Sequence, residues 1–340
     1  MEIPKALIDR LKKNEEIAKK FNEIEISILS ILNFHDFFER LLCEISDKFS
    51  IPYIWISIIE ESRLATQLKT SSDSERLSTS MAFVPRESFL SIIRNRLAPL
   101  LANESLEIYS PLMPEISDDD IGSIAVAPIT LDGEIVGSIN QADKNPQRFE
   151  PGIDTSLLEQ LALKVSLCLS NVTAHEQLKF LAFHDPLTGL LNRGVMERIL
   201  EREFQRAKRY KTDLTLLFLD LDAFKTINDT AGHDAGDKAL CMAAQTLTQL
   251  KRDSDIVARF AGDEFVVILP STPKTHAEHY IKRVKAHLDA NPFDAGGDSF
   301  VIRMSHGVAS IYDPEISDAR SLVKTADQLL YKAKKEKKNR

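Results

Sequence analysis

Residues 214–222 read LTLLFLDLD and residues 259–269 read RFAGDEFVVIL. Both are short apolar runs of the kind that suits a buried strand, and both carry acids at one end. Asp220 and Asp222 close the first run, while Asp263 and Glu264 stand at the turn where the second begins. The runs 256–260 and 265–269 flank Ala261-Gly262 and predict an antiparallel hairpin. If that hairpin pairs beside 214–219, Asp220 and Asp263 converge on one site. Carboxylates gathered out of water repel one another, and desolvation would protonate one of them unless a cation intervenes. A hard divalent ion such as Mg²⁺ takes oxygen ligands and keeps positions for water and phosphate. The bland alternative is a surface hairpin with solvated acids, which the apolar flanks disfavour.

Around this pair the pattern predicts helices over 193–210, 234–250, 274–288 and 319–335, with a further strand over 300–310. Helices over an antiparallel-rich sheet give an α+β, palm-like core. Upstream, residues 4–49 carry apolar positions at helical spacing, and 51–59 (IPYIWISII) reads as a buried strand. Strands over 123–130 and 134–141 surround Asp132-Gly133, a hairpin signal, and a helix follows from Asp154. Within it Leu158, Leu161, Val165, Cys168 and Val172 repeat at three-four spacing, the pattern of a short seam for a second chain. The same face could instead pack on its own domain. Pro186 marks a boundary. The division expected is 1–172 as a first domain, 173–184 as the end of a helical linker, and 185–340 as a second domain.

The 340 residues suffice for two domains, and 43% hydrophobic with 28% charged residues places the chain among globular proteins. A net charge of −8 argues against nucleic-acid binding by phosphate neutralisation. Cys43, Cys168 and Cys241 lie far apart without metal-ligand spacing. No apolar run approaches the length of a membrane span or signal segment, so a cytoplasmic, membrane-free protein is expected. The acidic stretch Asp118–Asp120 reads as a solvated loop. His184, His233, His276, His279 and His306 read as exposed or packed histidines without a metal role.

Residues 126–142 (VAPITLDGEIVGSINQA) followed by 148–169 (RFEPGIDTSLLEQLALKVSLCL) resemble a GAF domain, over about residues 25–172. That resemblance implies a small-ligand sensor or dimerisation domain. In the second half, 185–193 (DPLTGLLNR), 218–229 (FLDLDAFKTIND), 232–237 (GHDAGD), 259–265 (RFAGDEF) and 326–334 (ADQLLYKAK) resemble, in order and spacing, the motifs of GGDEF diguanylate cyclases. The resemblance implies condensation of two GTP molecules into cyclic di-GMP by a homodimer, with Mg²⁺ or Mn²⁺.

It further implies roles for individual residues. Asp220, Asp263 and the Leu221 carbonyl would hold metal, and Glu264 would assist the 3′-hydroxyl. Asn228 and Asp237 would read guanine. Backbone at Ala223, Phe224, Lys225 and the Gly262 turn would meet substrate, with Lys334 and Lys338 adding charge. Arg252, Asp255 and Arg283 would form an inhibitory product site. Ala261 departs from the family's first signature glycine, and Lys337-Lys338-Asn339 from its usual ending. These departures leave an alternative open, a catalytically inactive receptor for GTP or cyclic di-GMP. A third reading, an enzyme accepting ATP, is opposed by Asp237.

Overall fold

A computed structural model describes residues 5–71, 79–114 and 121–338, so Asp118–Asp120 lie outside the described residues. The chain divides into two compact units, Met1–Leu178 and Lys179–Arg340.

The first unit runs α1 (Lys5–Leu29), α2 (Phe34–Phe49), β1 (Tyr53–Ile59), α3 (Arg63–Ser71), β2 (Met81–Val84), α4 (Arg86–Ile92) and β3 (Leu100–Ala102). A 3₁₀ turn (Leu106–Leu112), β4 (Ser123–Leu131), β5 (Glu134–Asp143) and α5 (Ser156–Phe183) follow. Its five strands lie in the order β2-β1-β5-β4-β3. The β4–β5 turn is made by Asp132 and Gly133, with φ of 54° and 84°, the left-handed pair that a two-residue hairpin needs. Residues from α1, α2 and α5 share one apolar core with the sheet.

That core corrects the seam expected from spacing alone. Leu161, Val165 and Val172 are 0% exposed and Cys168 is 5% exposed, all inside the unit's own core, with Leu158 packed against it. The sheet face needs a cover, and α5 supplies it. The Ser166 hydroxyl fixes the helix there by accepting the Thr130 N–H at 2.9 Å.

The second unit contains α6 (Arg193–Tyr210), β6 (Leu214–Leu221), α7 (Phe224–Ala231), α8 (His233–Leu250), β7 (Ile256–Ala261), β8 (Glu264–Pro270) and α9 (Lys274–Ala290). It continues with β9 (Phe293–Ala295), β10 (Asp298–Phe300), β11 (Met304–Ser310) and α10 (Ala319–Lys338). The main sheet is antiparallel, ordered β11-β6-β8-β7. All eight residues of β6 are buried, which explains its continuous apolar run. Alternation sorts them: Leu217, Leu219 and Leu221 join the core under α8 and α9, while Leu214, Leu216 and Phe218 join the core under α6 and α10.

Two expectations change. The strand expected over 300–310 is β11 alone, beginning at Met304, preceded by a β9–β10 ribbon turning at Gly296-Gly297, both with positive φ. The segment after β6, outside the helices expected above, forms the eight-residue helix α7.

Gly307 governs how α10 is seated. A Cβ there would lie 1.9 Å from the Ala326 carbonyl oxygen and 2.5 Å from the Leu330 nitrogen, so helix backbone rests directly on β11. Gly307→Ala is therefore expected to destabilise the second unit by about 2 kcal/mol through overpacking. Thermal denaturation should show this as a Tm lower by about 5 °C. An unchanged Tm would mean that the helix does not sit this close.

Candidate active site

The chemistry-bearing residues meet where β6 ends and the β7–β8 hairpin turns. Register places Asp220 opposite Glu264, and the Leu221 N–H donates to the Asp263 carbonyl at 3.1 Å. Because opposite residues in an antiparallel pair share a face, Asp220 and Glu264 both belong to the α6–α10 side. Gly262 takes the left-handed conformation in the turn, with φ of 49°. Ala261 does not: it closes β7 at an exposed position and is not in positive-φ backbone. The left-handed demand of the signature turn thus falls on the second position, and alanine at the first carries no backbone penalty.

Arg259 braces this turn. Its Nε donates to the Gly262 carbonyl at 2.9 Å, and its Nη1 reaches both Asp185 carboxylate oxygens at 2.9 and 3.1 Å. Burial alone would raise the Asp185 carboxyl. Hydrogen bonds from the Thr188 hydroxyl and N–H, with the Arg259 guanidinium, outweigh that and hold it below the usual carboxylate range. The DPLTG stretch is thereby tied to the hairpin.

Asp220 is 6% exposed, and its Oδ1 is shut off from water. The Lys334 ammonium, from α10, stands against it as a charge. Burial, with Asp263 and Asp222 adding repulsion, raises the Asp220 carboxyl despite Lys334. Glu264 is also raised, first by burial and then by Asp220, Asp327 and Asp263. A buried carboxyl raised by burial and neighbouring acids despite its ammonium partner is the environment a divalent cation relieves. The donors available are the Asp220 and Asp263 carboxylates and the Leu221 carbonyl. Among the described residues no group of three or more His, Cys, Asp or Glu side chains has a metal-holding arrangement, so further ligands would come from water or a bound phosphate.

A cavity of about 620 Å³ opens beside these acids, walled by Asp220, Asp263, Ala223, Phe224, Lys225 and Lys334 among others. Ala223 adopts φ 55°, ψ 26° as the cap of α7, turning the chain so that the first N–H groups of that helix lie at the cavity. Asn228 and Asp237 are not part of this wall. Asn228 packs on Gly236, where a Cβ would fall 1.9 Å from its Oδ1, so it lies beside the exposed Asp237 at the α7–α8 corner. The side chain of Lys338 lies outside the described residues.

Three features escaped the sequence reading. Lys337 pairs with Asp222 at 2.6 Å, and the Ser305 hydroxyl donates to the same carboxylate at 2.6 Å, so Asp222 is tied to β11 and α10. A wider cavity of about 1000 Å³, lined by residues of α6 and α10, reaches Glu264 over Phe218 and Phe260, with Arg193 stacked on the Phe260 ring at 4.2 Å. Finally, Arg252, Asp255 and Arg283 do share a separate cavity, but His276 and His279 line it too.

The family model described as diguanylate cyclase, GGDEF domain matches residues 182–340. This stretch is a GGDEF domain. It is similar to the probable diguanylate cyclase DgcC of Escherichia coli, 40% identical over 164 residues, covering 48% of this chain and 44% of that protein. It is also similar to the diguanylate cyclase DgcP of Pseudomonas aeruginosa, 42% identical over 159 residues, covering 47% of this chain and 23% of that one. The chain thus spans less than half the length of either relative. A solved GGDEF domain, that of DgcB from Caulobacter crescentus in complex with c-di-GMP, is 27% identical with a TM-score of 0.44, covering 46% of this chain and 89% of that chain.

The raised acids of the GGDEF domain make a stability prediction. A carboxyl whose folded pKa exceeds its unfolded value lets the folded state bind extra protons, so its contribution to stability grows as pH falls through the raised value. Above that value the buried charge weakens the fold. Asp220→Asn should therefore raise the Tm of metal-free protein at neutral pH. The gain should shrink toward the ordinary carboxylate range, about pH 4. A variant less stable than wild type at every pH would contradict this electrostatic account.

Proposed function

We propose that the GGDEF domain is a diguanylate cyclase, joining two GTP molecules into cyclic di-GMP with release of pyrophosphate. The observation that carries this reading is the convergence of Asp220, Asp263 and Glu264 at the end of β6, with the Asp220 and Glu264 carboxyls raised, beside an open cavity. Asp220, Asp263 and the Leu221 carbonyl would hold Mg²⁺ or Mn²⁺, which when bound supplies neutralisation of phosphate charge and polarises the reacting oxygens. The N–H groups at the start of α7 and the Lys334 ammonium accept the triphosphate. Glu264, whose raised proton affinity suits it to accept a proton, lines the wider cavity and serves the 3′-hydroxyl. Asn228 and Asp237 read guanine: a carboxylate accepts from its N1–H and exocyclic amine, which adenine does not present as a pair.

The inactive-receptor alternative loses its main motive, since Ala261 is unstrained. The cavity holding Arg252, Asp255 and Arg283 would bind the cyclic product as an inhibitor. The first unit would act as a GAF-like sensor. Among the described residues no helix is long and apolar enough to cross a membrane, and a cytoplasmic location is part of this proposal.

Each domain presents one GTP, so two copies must face each other with two-fold symmetry. The contact we propose lies opposite the core-facing row of α5. Leu163 and Leu167 on α5 are 59% and 55% exposed, and Ile26 and Leu29 on α1 are 63% and 64% exposed. The two helices are neighbours, joined by Lys164–Glu25 at 3.4 Å and by the His175 ring nitrogen at the Leu32 carbonyl, 3.0 Å. A paired apolar face of this kind suits a four-helix contact with a second copy.

Purified protein incubated with Mg²⁺ and GTP should yield cyclic di-GMP, identified by mass. Asp263→Asn should keep the fold by circular dichroism and lower turnover at least about 100-fold, the scale of losing a group that stabilises transition-state charge. Near-normal synthesis by that variant would remove the metal assignment.

The dimer face has its own test. Leu163→Glu with Leu167→Glu should shift sedimentation toward monomer and lower the initial rate at dilute protein. Raising protein concentration should restore part of the rate, because the nucleotide site is untouched. A variant that stays dimeric and fully active at every concentration would show that this face is not the contact.

A further inference from the structure

The product-type cavity of the GGDEF domain, of about 550 Å³, is walled by Lys251, Arg252 and Asp255 from the turn after α8 and by His276, His279 and Arg283 from α9. Its charges do not balance. Asp255 is 5% exposed and accepts the Arg252 N–H at 2.9 Å, so its carboxylate closes the turn. None of the three cations has a carboxylate within ion-pair distance among the described residues. Lys251 instead donates to the Arg252 carbonyl at 3.3 Å, and Arg283 to the Leu250 carbonyl at 3.3 Å. Fixed cations gathered without counter-ions favour an anionic ligand.

Helix α9 then adds two imidazoles one turn apart, exposed in the cavity wall, with ring centroids 6.3 Å apart and planes 22° from parallel. We infer that His276 and His279 are ligand-contacting residues of this cavity, taking the phosphodiester groups of a guanine dinucleotide when protonated, so that affinity rises with acidity. The inference rests on the proposal that the cavity holds the cyclic product. Across the cavity the imidazoles face Lys251, Arg252 and Asp255, Tyr280 and Arg283 share the wall from α9, and Glu278 and Lys282 are the charged chain neighbours on that helix. Histidine alone among these residue types changes charge between about pH 5 and pH 8. The Tyr280 hydroxyl donates to the Leu247 carbonyl at 2.7 Å, and burial pushes its titration further from that window. A phosphodiester keeps one negative charge throughout. Protonating an imidazole in this wall adds positive charge, which strengthens anion binding as pH falls.

The test is calorimetric titration of cyclic di-GMP into the full chain, without metal. Wild type should bind at least about tenfold tighter at pH 5.5 than at pH 8. His276→Gln with His279→Gln should remove most of that difference. Arg252→Ala should weaken binding at both pH values. If the double variant keeps the full pH dependence while Arg252→Ala loses affinity, the histidine assignment is wrong and the product site stands. If wild type fails to bind at either pH, the product-site reading falls and this inference with it.

Discussion

The antiparallel register of β6 against β8 is the constraint on which the chemistry of the second unit depends. It sets Asp220 opposite Glu264 and brings the Leu221 N–H to the Asp263 carbonyl. A slip of one residue would turn Asp220 toward the α8–α9 core and expose that core's leucines to the opposite side. The register is held because both faces of β6 are buried, each against its own helices. No single acid is positioned by its own contacts. Apolar packing several residues away positions all of them, against the repulsion recorded in the raised carboxyls of Asp220 and Glu264.

That division of labour explains what could be read in the sequence. The buried strand and the hairpin were legible because short continuous apolar runs are local and the acids break them at one end. Helix α7 was not, because its eight residues start directly after a strand, with Ala223 as a left-handed cap that composition does not announce. The row from Leu158 to Val172 was legible as a helix face but not as a destination. Three-four spacing says that a face is buried without saying by what, and here the unit's own sheet takes it. The residues that stay exposed, Leu163 and Leu167, lie off that row.

Glycine shows the same ambiguity at single positions. Gly262 is required for a positive φ, whereas Gly236 and Gly307 are required for space, one under Asn228 and the other under the backbone of α10. A sequence shows the residue and not the reason. At Ala261 the missing distinction mattered: only the structure separates the position that must turn left from the one that merely precedes it. The histidines of α9 are a similar case, since lining a cavity is a property of tertiary position that helical spacing does not carry.

The GGDEF domain therefore holds two sites of opposite electrostatic character, and the fold supports them differently. Around Asp220 like charges are forced together, so the metal-free site works against folding and a bound cation with its nucleotide would add stability by mass action. Around Arg252 the cations remain near water, where their repulsion is screened, and the one acid is committed to holding the turn. The first site needs the rigid strands β6 and β8, because acids crowded together out of water would otherwise relax toward solvent. The second can stand on a turn and a helix surface. Repulsion at the acidic site must therefore be borne by the core packing of the sheet, while the basic cluster asks little of the fold.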